Sequence, residues 1–209
     1  KEFAISYPYA TVVFNEKDIG KWWGAEVTLS KRLWDRHVLT LGAEYRDDFE
    51  QASRGFNEKE TYSNVHTNQQ SYGVYAQGDF AVLTNLHFTG GVRYDQVADF
   101  DPSINPRLAL IYNPFPKSTF KAIYGSAFRA PSFYEVSTSD HTLQPEDITS
   151  YELVYEQGIG KHLRSSLSGY YNEMNNLLVF SSGSFTNFNA DTTGIELALE
   201  GFWASGINL

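Results

Sequence analysis

The sequence predicts an all-β chain, an antiparallel meander of the kind that builds transmembrane β-barrels. Two observations predict it. Apolar and polar residues alternate in segments that recur about nine times, and the connections between segments alternate short with long. Ala25, Val27 and Leu29 fall on one face of their segment, and Glu26, Thr28 and Ser30 on the other. Leu39, Leu41, Ala43 and Tyr45 interleave in the same way with Thr40, Gly42, Glu44 and Arg46. Successive side chains of a strand point to opposite faces, so a period of two marks strands rather than helices. The short connections are Leu33–Arg36, Leu83–Asn85, Pro114–Lys117, Gly158–Lys161 and Ala204–Gly206. The long ones run roughly over Asp47–Asn68, Ala98–Asn105, Arg129–Asp147 and Asn175–Ala190. Sorting of this kind puts every tight turn at one end, as in outer-membrane barrels with short periplasmic turns and longer extracellular loops. A soluble β-sandwich binding module, the main structural rival, has no reason to sort its loops.

In chain order, Lys1–Gly20 reads as the end of an extended segment followed by a loop. Strands are expected at about Lys21–Arg32, His37–Asp48, Gln70–Val82, Leu86–Val97, Pro106–Asn113 and Ser118–Phe128. Three more are expected at about Ile148–Gln157, His162–Met174 and Asp191–Trp203, with Ile207–Leu209 opening another. Charge fixes the register. In Ile148–Gln157, Ser150, Glu152 and Glu156 oppose Tyr151, Leu153 and Tyr155, and a slip of one residue would turn both glutamates into lipid. A midplane Arg or Lys on the lipid face costs about 2–4 kcal/mol, and Asp or Glu less. Arg46, Lys121 and Arg164 fall on the polar faces of their own strands by the same count.

Composition agrees. No stretch approaches the roughly 18 apolar residues of a spanning helix. A mean hydropathy of -0.38 does not exclude a barrel, in which only alternate residues meet lipid. Aromatic residues make up 16%, suited to girdles at the membrane interfaces, with Trp22, Trp23, Tyr45, Tyr72, Tyr94 and Tyr155 among the candidates. The net charge of -9 excludes a nucleic-acid partner of the usual kind, because no basic stripe exists to neutralise phosphates. Cysteine is absent. Lys1-Glu2-Phe3 shows no feature of a signal peptide, so the export signal a barrel needs is expected upstream or already removed. There is no Ser/His/acid arrangement, phosphate loop or paired-Cys metal site, which points away from an enzyme and from any cofactor. Asp99-Phe-Asp101 and Asp140-His141 supply too few oxygen ligands for a calcium cage.

One stretch is more specific. Tyr124-Gly-Ser-Ala-Phe-Arg-Ala-Pro-Ser-Phe-Tyr-Glu135 is followed by Leu143-Gln-Pro-Glu146 and by Ser150-Tyr-Glu-Leu-Val-Tyr-Glu156. Pro131 cannot donate to a ladder and so ends pairing just after Phe128, and Pro145 marks the approach to the next strand. Arg129 offers a planar fork of donors suited to a carboxylate of a neighbouring loop or plug. The stretch resembles the barrel of TonB-dependent outer-membrane receptors, with Phe128, Arg129, Pro131, Pro145, Glu146, Tyr151 and Glu152 carrying the motif. Trp22-Trp-Gly-Ala-Glu26, Asn105-Pro-Arg-Leu-Ala109 and Gly169-Tyr-Tyr-Asn172 are similar to the same family, and Val154 departs from it where glycine is common.

The resemblance implies a partial barrel over residues 1–209, about nine or ten strands of a larger barrel of about 22, without a plug domain. It implies a location in the outer membrane of a Gram-negative bacterium, among outer-membrane lipid. Its implied partners are the receptor's own plug, TonB acting through a missing N-terminal region, and a small-molecule ligand. Active uptake of an iron–siderophore complex is the first expectation, with cobalamin or a glycan next and a passive porin-like channel as the rival. Arg54, Lys59, Tyr62 and His66, in the longest loop, are the candidate contacts for an anionic chelate.

Overall fold

A computed structural model describes residues 2–9, 12–34, 36–139 and 142–202, and all of their side chains except those of 2–9, 12, 14 and 62. Ten strands follow one another: β1 Glu2–Tyr9, β2 Val12–Leu33, β3 His37–Phe56, β4 Thr61–Leu83 and β5 Leu86–Val97. Then come β6 Ser103–Tyr112, β7 Ser118–Arg129, β8 Glu146–Ile159, β9 Leu163–Ser181 and β10 Ser184–Gly201, with one short helix, α1 Phe133–Ser137, between β7 and β8. Each strand pairs antiparallel with its neighbours in sequence, in one sheet of order β1 to β10. Among the described residues β1 and β10 do not pair with each other, so the sheet is an open arc.

The sheet has no second layer among the described residues. Among the described residues only Ala52 and Leu143 are buried hydrophobics, whereas Leu153 is 68% exposed, Leu197 78% and Ile195 80%. A sandwich would cover these positions with an opposing sheet. Here they form one continuous outer face, because from β2 to β10 the register sets apolar residues opposite one another in the middle of the ladders. Val27 stands opposite Ala43, Ala43 opposite Val74, and Val74 opposite Tyr94. Further along, Leu110 opposes Ala122, Ala122 opposes Leu153, and Leu167 opposes Leu197. Rings cap the band on β4, where Tyr72 to Phe80 is about 26 Å at about 3.3 Å per residue, close to the apolar band of about 25 Å in outer-membrane barrels.

The opposite face is polar and cross-linked. Arg93 donates to its β5 neighbour Asp95 at 2.7 Å and, across β4, to Glu44 of β3 at 2.9 Å. Glu156 pairs with Lys121 at 2.6 Å and with Arg164 at 2.8 Å, and Arg46 pairs with Asp48 at 2.7 Å. The three cations assigned to the polar face by alternation therefore all find carboxylates there. The Tyr75 ring lies over Gly42, where a Cβ would come within 2.1 Å of it, and its hydroxyl sits 2.8 Å from the Thr28 hydroxyl. Trp22 belongs to this face too, stacked 4.5 Å beneath the Arg46 guanidinium, rather than to the outer girdle. Trp23, one residue on, is the girdle member, 5.3 Å from Tyr45.

Several boundaries differ from the sequence reading. Lys1–Gly20 was expected to end as a loop; instead β1 pairs with the first part of β2 from Glu2↔Ile19 to Tyr9↔Val12. The long connections expected at Asp47–Asn68 and Asn175–Ala190 are hairpin arms that stay paired as far as Phe56↔Thr61 and Ser181↔Ser184. Beyond the bilayer neither face of a hairpin meets lipid, so pairing continues while the apolar alternation stops. The β9–β10 arm closes on Ser182 and Gly183, both at positive φ, as a two-residue primed turn requires. β6 begins at Ser103, ahead of Pro106, because Pro106 lies on the β5 ladder while the β7 ladder stops at Arg107↔Gly125. Trp203, the Ala204–Gly206 turn and the Ile207–Leu209 strand lie outside the described residues. Replacing outer-face Leu153 by Arg is expected to destabilise the receptor in lipid vesicles by about 2–4 kcal/mol, while Ser168→Arg on the polar face changes it little. Denaturant titration checks this, and equal losses would refute the assignment of faces.

Candidate functional site

The long connections gather at one end of the sheet and form its mouth. The β7–β8 connection is organised by Arg129, the last residue of β7. Its guanidinium grips Glu135 in α1 through two hydrogen bonds of 2.9 Å and reaches Glu146, the first residue of β8, at 2.5 Å. Glu135 also accepts from the Ser132 backbone at 2.7 Å, while the Ser132 hydroxyl accepts from the Glu135 backbone at 3.4 Å. This reciprocal capping box starts α1 and was legible as Ser132-x-x-Glu135. The sequence reading passed over it because the run that follows is too short to show a helical period. Pro131, fully buried, ends the ladder and turns the chain into the helix.

Glu146 links this connection to the next hairpin, accepting from the Leu178 backbone at 2.6 Å. Gln144 and Asn187 bracket each other through backbone and side-chain amide at 2.9 and 3.1 Å. The Ser139 hydroxyl donates to the Phe185 carbonyl at 3.0 Å, and Tyr134 meets the Phe185 ring edge-on. The α1 connection and the β9–β10 arm are therefore one body. The Arg129 hydrogen bonds hold the Glu135 carboxyl down at about 2, against burial, which raises it. The same guanidinium, with help from the Leu178 backbone, lowers Glu146.

Between this body, the β3–β4 arm and the β5–β6 connection lies a cavity of about 540 Å³. Carboxamides of Gln51, Asn68, Gln69 and Gln144, hydroxyls of Thr67 and Thr142, and rings of His66, Phe100 and Phe133 line it, with Asp99 and Asp101. No Lys or Arg is among the described lining residues. His66 is thus the sequence candidate that the fold brings to the cavity. Arg54 donates to Thr61 at 3.2 Å and stacks on Phe56, and Lys59 sits in the hairpin tip, where the Asn57 side chain accepts from its backbone at 2.8 Å. The side chain of Tyr62 lies outside the described residues, as do Asp140 and His141. Of the motif residues, Phe128 opposes Asp147 and Pro145 immediately precedes β8. Tyr151 faces outward between Tyr124 and Tyr171, and Glu152 stands on the polar face opposite Ile123 and Tyr170. Among the described residues no cluster of His, Asp and Glu could hold a metal ion, and no helix is long and apolar enough to cross a membrane.

The family described as TonB dependent receptor-like, beta-barrel matches residues 3–209. The chain belongs to the TonB-dependent receptor β-barrels. It is 32% identical over 123 residues to the vitamin B12 transporter BtuB of Vibrio cholerae, covering 56% of this chain and 20% of that protein. BtuB of Photobacterium profundum is 26% identical over 205 residues, 88% of this chain and 32% of that protein. The chain thus spans about a fifth to a third of the length of these relatives. Among solved structures, the copper transporter OprC superposes with a TM-score of 0.74 at 17% identity, over 92% of this chain and 36% of that one. The siderophore receptor PirA from Pseudomonas aeruginosa does so with a TM-score of 0.67 at 20% identity, over 96% and 43%. As in other TonB-dependent receptor barrels, the sheet lies in the outer membrane of a Gram-negative bacterium, and barrels of that membrane keep short turns on the periplasmic side and longer loops outside.

The Arg129 clamp gives a prediction with a definite sign. A carboxyl whose pKa is depressed stabilises the fold above its unfolded value of about 4.3 and loses that contribution as pH falls through its folded value. Protection of the Val136 and Thr138 amides against hydrogen exchange should therefore persist at pH 4 and disappear only as pH approaches about 2. Arg129→Ala should release α1 at neutral pH, a loss of about 1–2 kcal/mol once the exposure of the guanidinium is discounted. Arg129→Lys should rescue it only in part, because the fork is lost.

Proposed function

We propose that this chain forms part of the wall of a receptor that takes up a scarce, bulky nutrient across the outer membrane, and that it performs no chemistry on that nutrient. The cavity at the mouth, built from three connections, carries the reading: it is where an arriving ligand first meets fixed side chains. The relatives support it, since their names are those of transporters and receptors. In this reading further strands close the arc, because open sheet edges cannot stand in hydrocarbon. A plug fills the lumen against the polar face, and TonB supplies the energy that moves it.

Two ligand readings compete. A ferric siderophore is the one the family resemblance puts first, and an iron-regulated outer membrane virulence protein of Vibrio cholerae is 23% identical over 149 residues. The cavity favours the second, a neutral amide-bearing nutrient such as cobalamin. Four carboxamides and two carboxylates line it without a single described cation, which suits amide groups better than an anionic chelate. The BtuB relatives point the same way. His66 and Phe133 are the residues assigned to ligand contact. In cells carrying the full-length receptor as their sole route, labelled cobalamin should enter only when TonB is present, and His66→Ala with Phe133→Ala should weaken surface binding about tenfold or more. TonB-independent entry would indicate a passive channel, and TonB-dependent uptake of a ferric chelate alone would return the first ligand reading.

A further inference from the structure

The outer face holds a feature that uptake leaves unused. Two adjoining depressions of about 730 and 500 Å³ open toward the bilayer and share Leu110, Ala122, Leu153, Gly169 and Ile195. These five residues form one row across β6 to β10: Leu110 opposes Ala122, Ala122 opposes Leu153, Leu153 opposes Gly169, and Gly169 opposes Ile195. The floor is low because Ala122 and Gly169 are small. A Cβ added at Gly169 would meet nothing nearer than the Gly194 carbonyl at 3.9 Å.

Rings wall the depression on both sides. Tyr124, Tyr151 and Tyr171 form the rim nearer the mouth, with centroids 5.2 and 6.2 Å apart. Phe120 and Tyr155, 4.6 Å apart, form the other. From Tyr124 to Phe120 the strand advances about 13 Å, half the spacing between Tyr72 and Phe80 on β4. Girdle rings belong at the two interfaces, where an apolar body and a polar tip are both accommodated. Here the two rows instead close in around a trough of small residues. Rigid rings lose little freedom when a chain lies between them, and a methylene in a trough meets partner atoms on three sides rather than one.

We propose that this depression binds an acyl chain of an outer-leaflet lipid, which in a Gram-negative outer membrane is lipid A. The inference rests on the membrane placement of the sheet and not on the identity of the uptake ligand. The tyrosine rim sets the leaflet: it lies on the mouth side, so the chain descends from a head group above Tyr124, Tyr151 and Tyr171 toward Phe120 and Tyr155. Glu173 and Asp191, opposite each other beyond Tyr171 toward the mouth, put carboxylates at head-group depth. Magnesium is then needed to bridge them to the lipid's phosphates.

The test uses the full-length receptor, extracted in mild detergent with magnesium and weighed intact by native mass spectrometry. Wild type is expected to retain lipid A. Gly169→Leu and Ala122→Leu, which fill the floor from either side of Leu153 in the same row, should each lower the retained fraction at least fivefold. Ala43→Leu, on the same face of β3 outside the depression, should leave it unchanged, and heat-modifiable gel mobility confirms that all are folded. No retained lipid in wild type, phospholipid in place of lipid A, unaltered retention in both filled variants, or an equal loss in Ala43→Leu would each overturn the proposal.

Discussion

Every backbone N–H and C=O of this chain must find a partner within the sheet wherever it crosses hydrocarbon, and that constraint organises the rest. It forces unbroken ladders from neighbour to neighbour, which fixes strand order as chain order. Once the ladders are continuous, the pleat divides all side chains between two solvents. Lipid takes Val27, Ala43, Leu153 and Ile195, and the lumen takes Glu44, Arg93, Glu156 and Arg164. The cross-strand ion pairs follow from this division, because charges expelled from one face become close neighbours on the other. A one-residue slip anywhere would reverse the assignment along a whole strand.

The same constraint explains what the sequence made visible. β5 was read to its observed ends, Leu86 and Val97, because both of its connections leave the bilayer within a few residues. Strand order, the outer face and the lumen cations were legible for the same reason: alternation is enforced wherever one side meets lipid. The hairpin arms were not. Around Gln51–Phe56 and Thr61–Asn68 neither side meets lipid, and backbone hydrogen bonding, which leaves no trace in side-chain pattern, keeps the strands paired. Trp22 and Trp23 show the limit within the membrane band as well, since two adjacent tryptophans cannot share a face and alternation had to be counted to separate them.

At the mouth, legibility depended on distance along the chain. The Ser132–Glu135 box is local and could have been read. The grip of Arg129 on Glu146, and of Glu146 on Leu178, spans turns whose geometry the sequence does not encode locally. For the cavity, the assignment of Arg54, Lys59, Tyr62 and His66 to one loop assumed that proximity in sequence means proximity in space. A paired arm instead carries Arg54 and Lys59 outward to its tip and leaves His66 near its base, so that residues from distant connections, such as Phe133 and Asp99, become its neighbours.

The fusion of the α1 connection with the β9–β10 arm has a consequence for how such a mouth can diversify. Loops that dangle independently can be lengthened, exchanged or recombined one at a time. Here Glu146 answers to Leu178, Gln144 to Asn187, and Ser139 to Phe185, so an exchange of either segment alone strands the polar groups of the other. The unit of inheritance at this part of the surface is therefore the pair. Chimaeras between receptors are better cut at the short turns on the far side, where each hairpin travels whole, than within the connections that face outward.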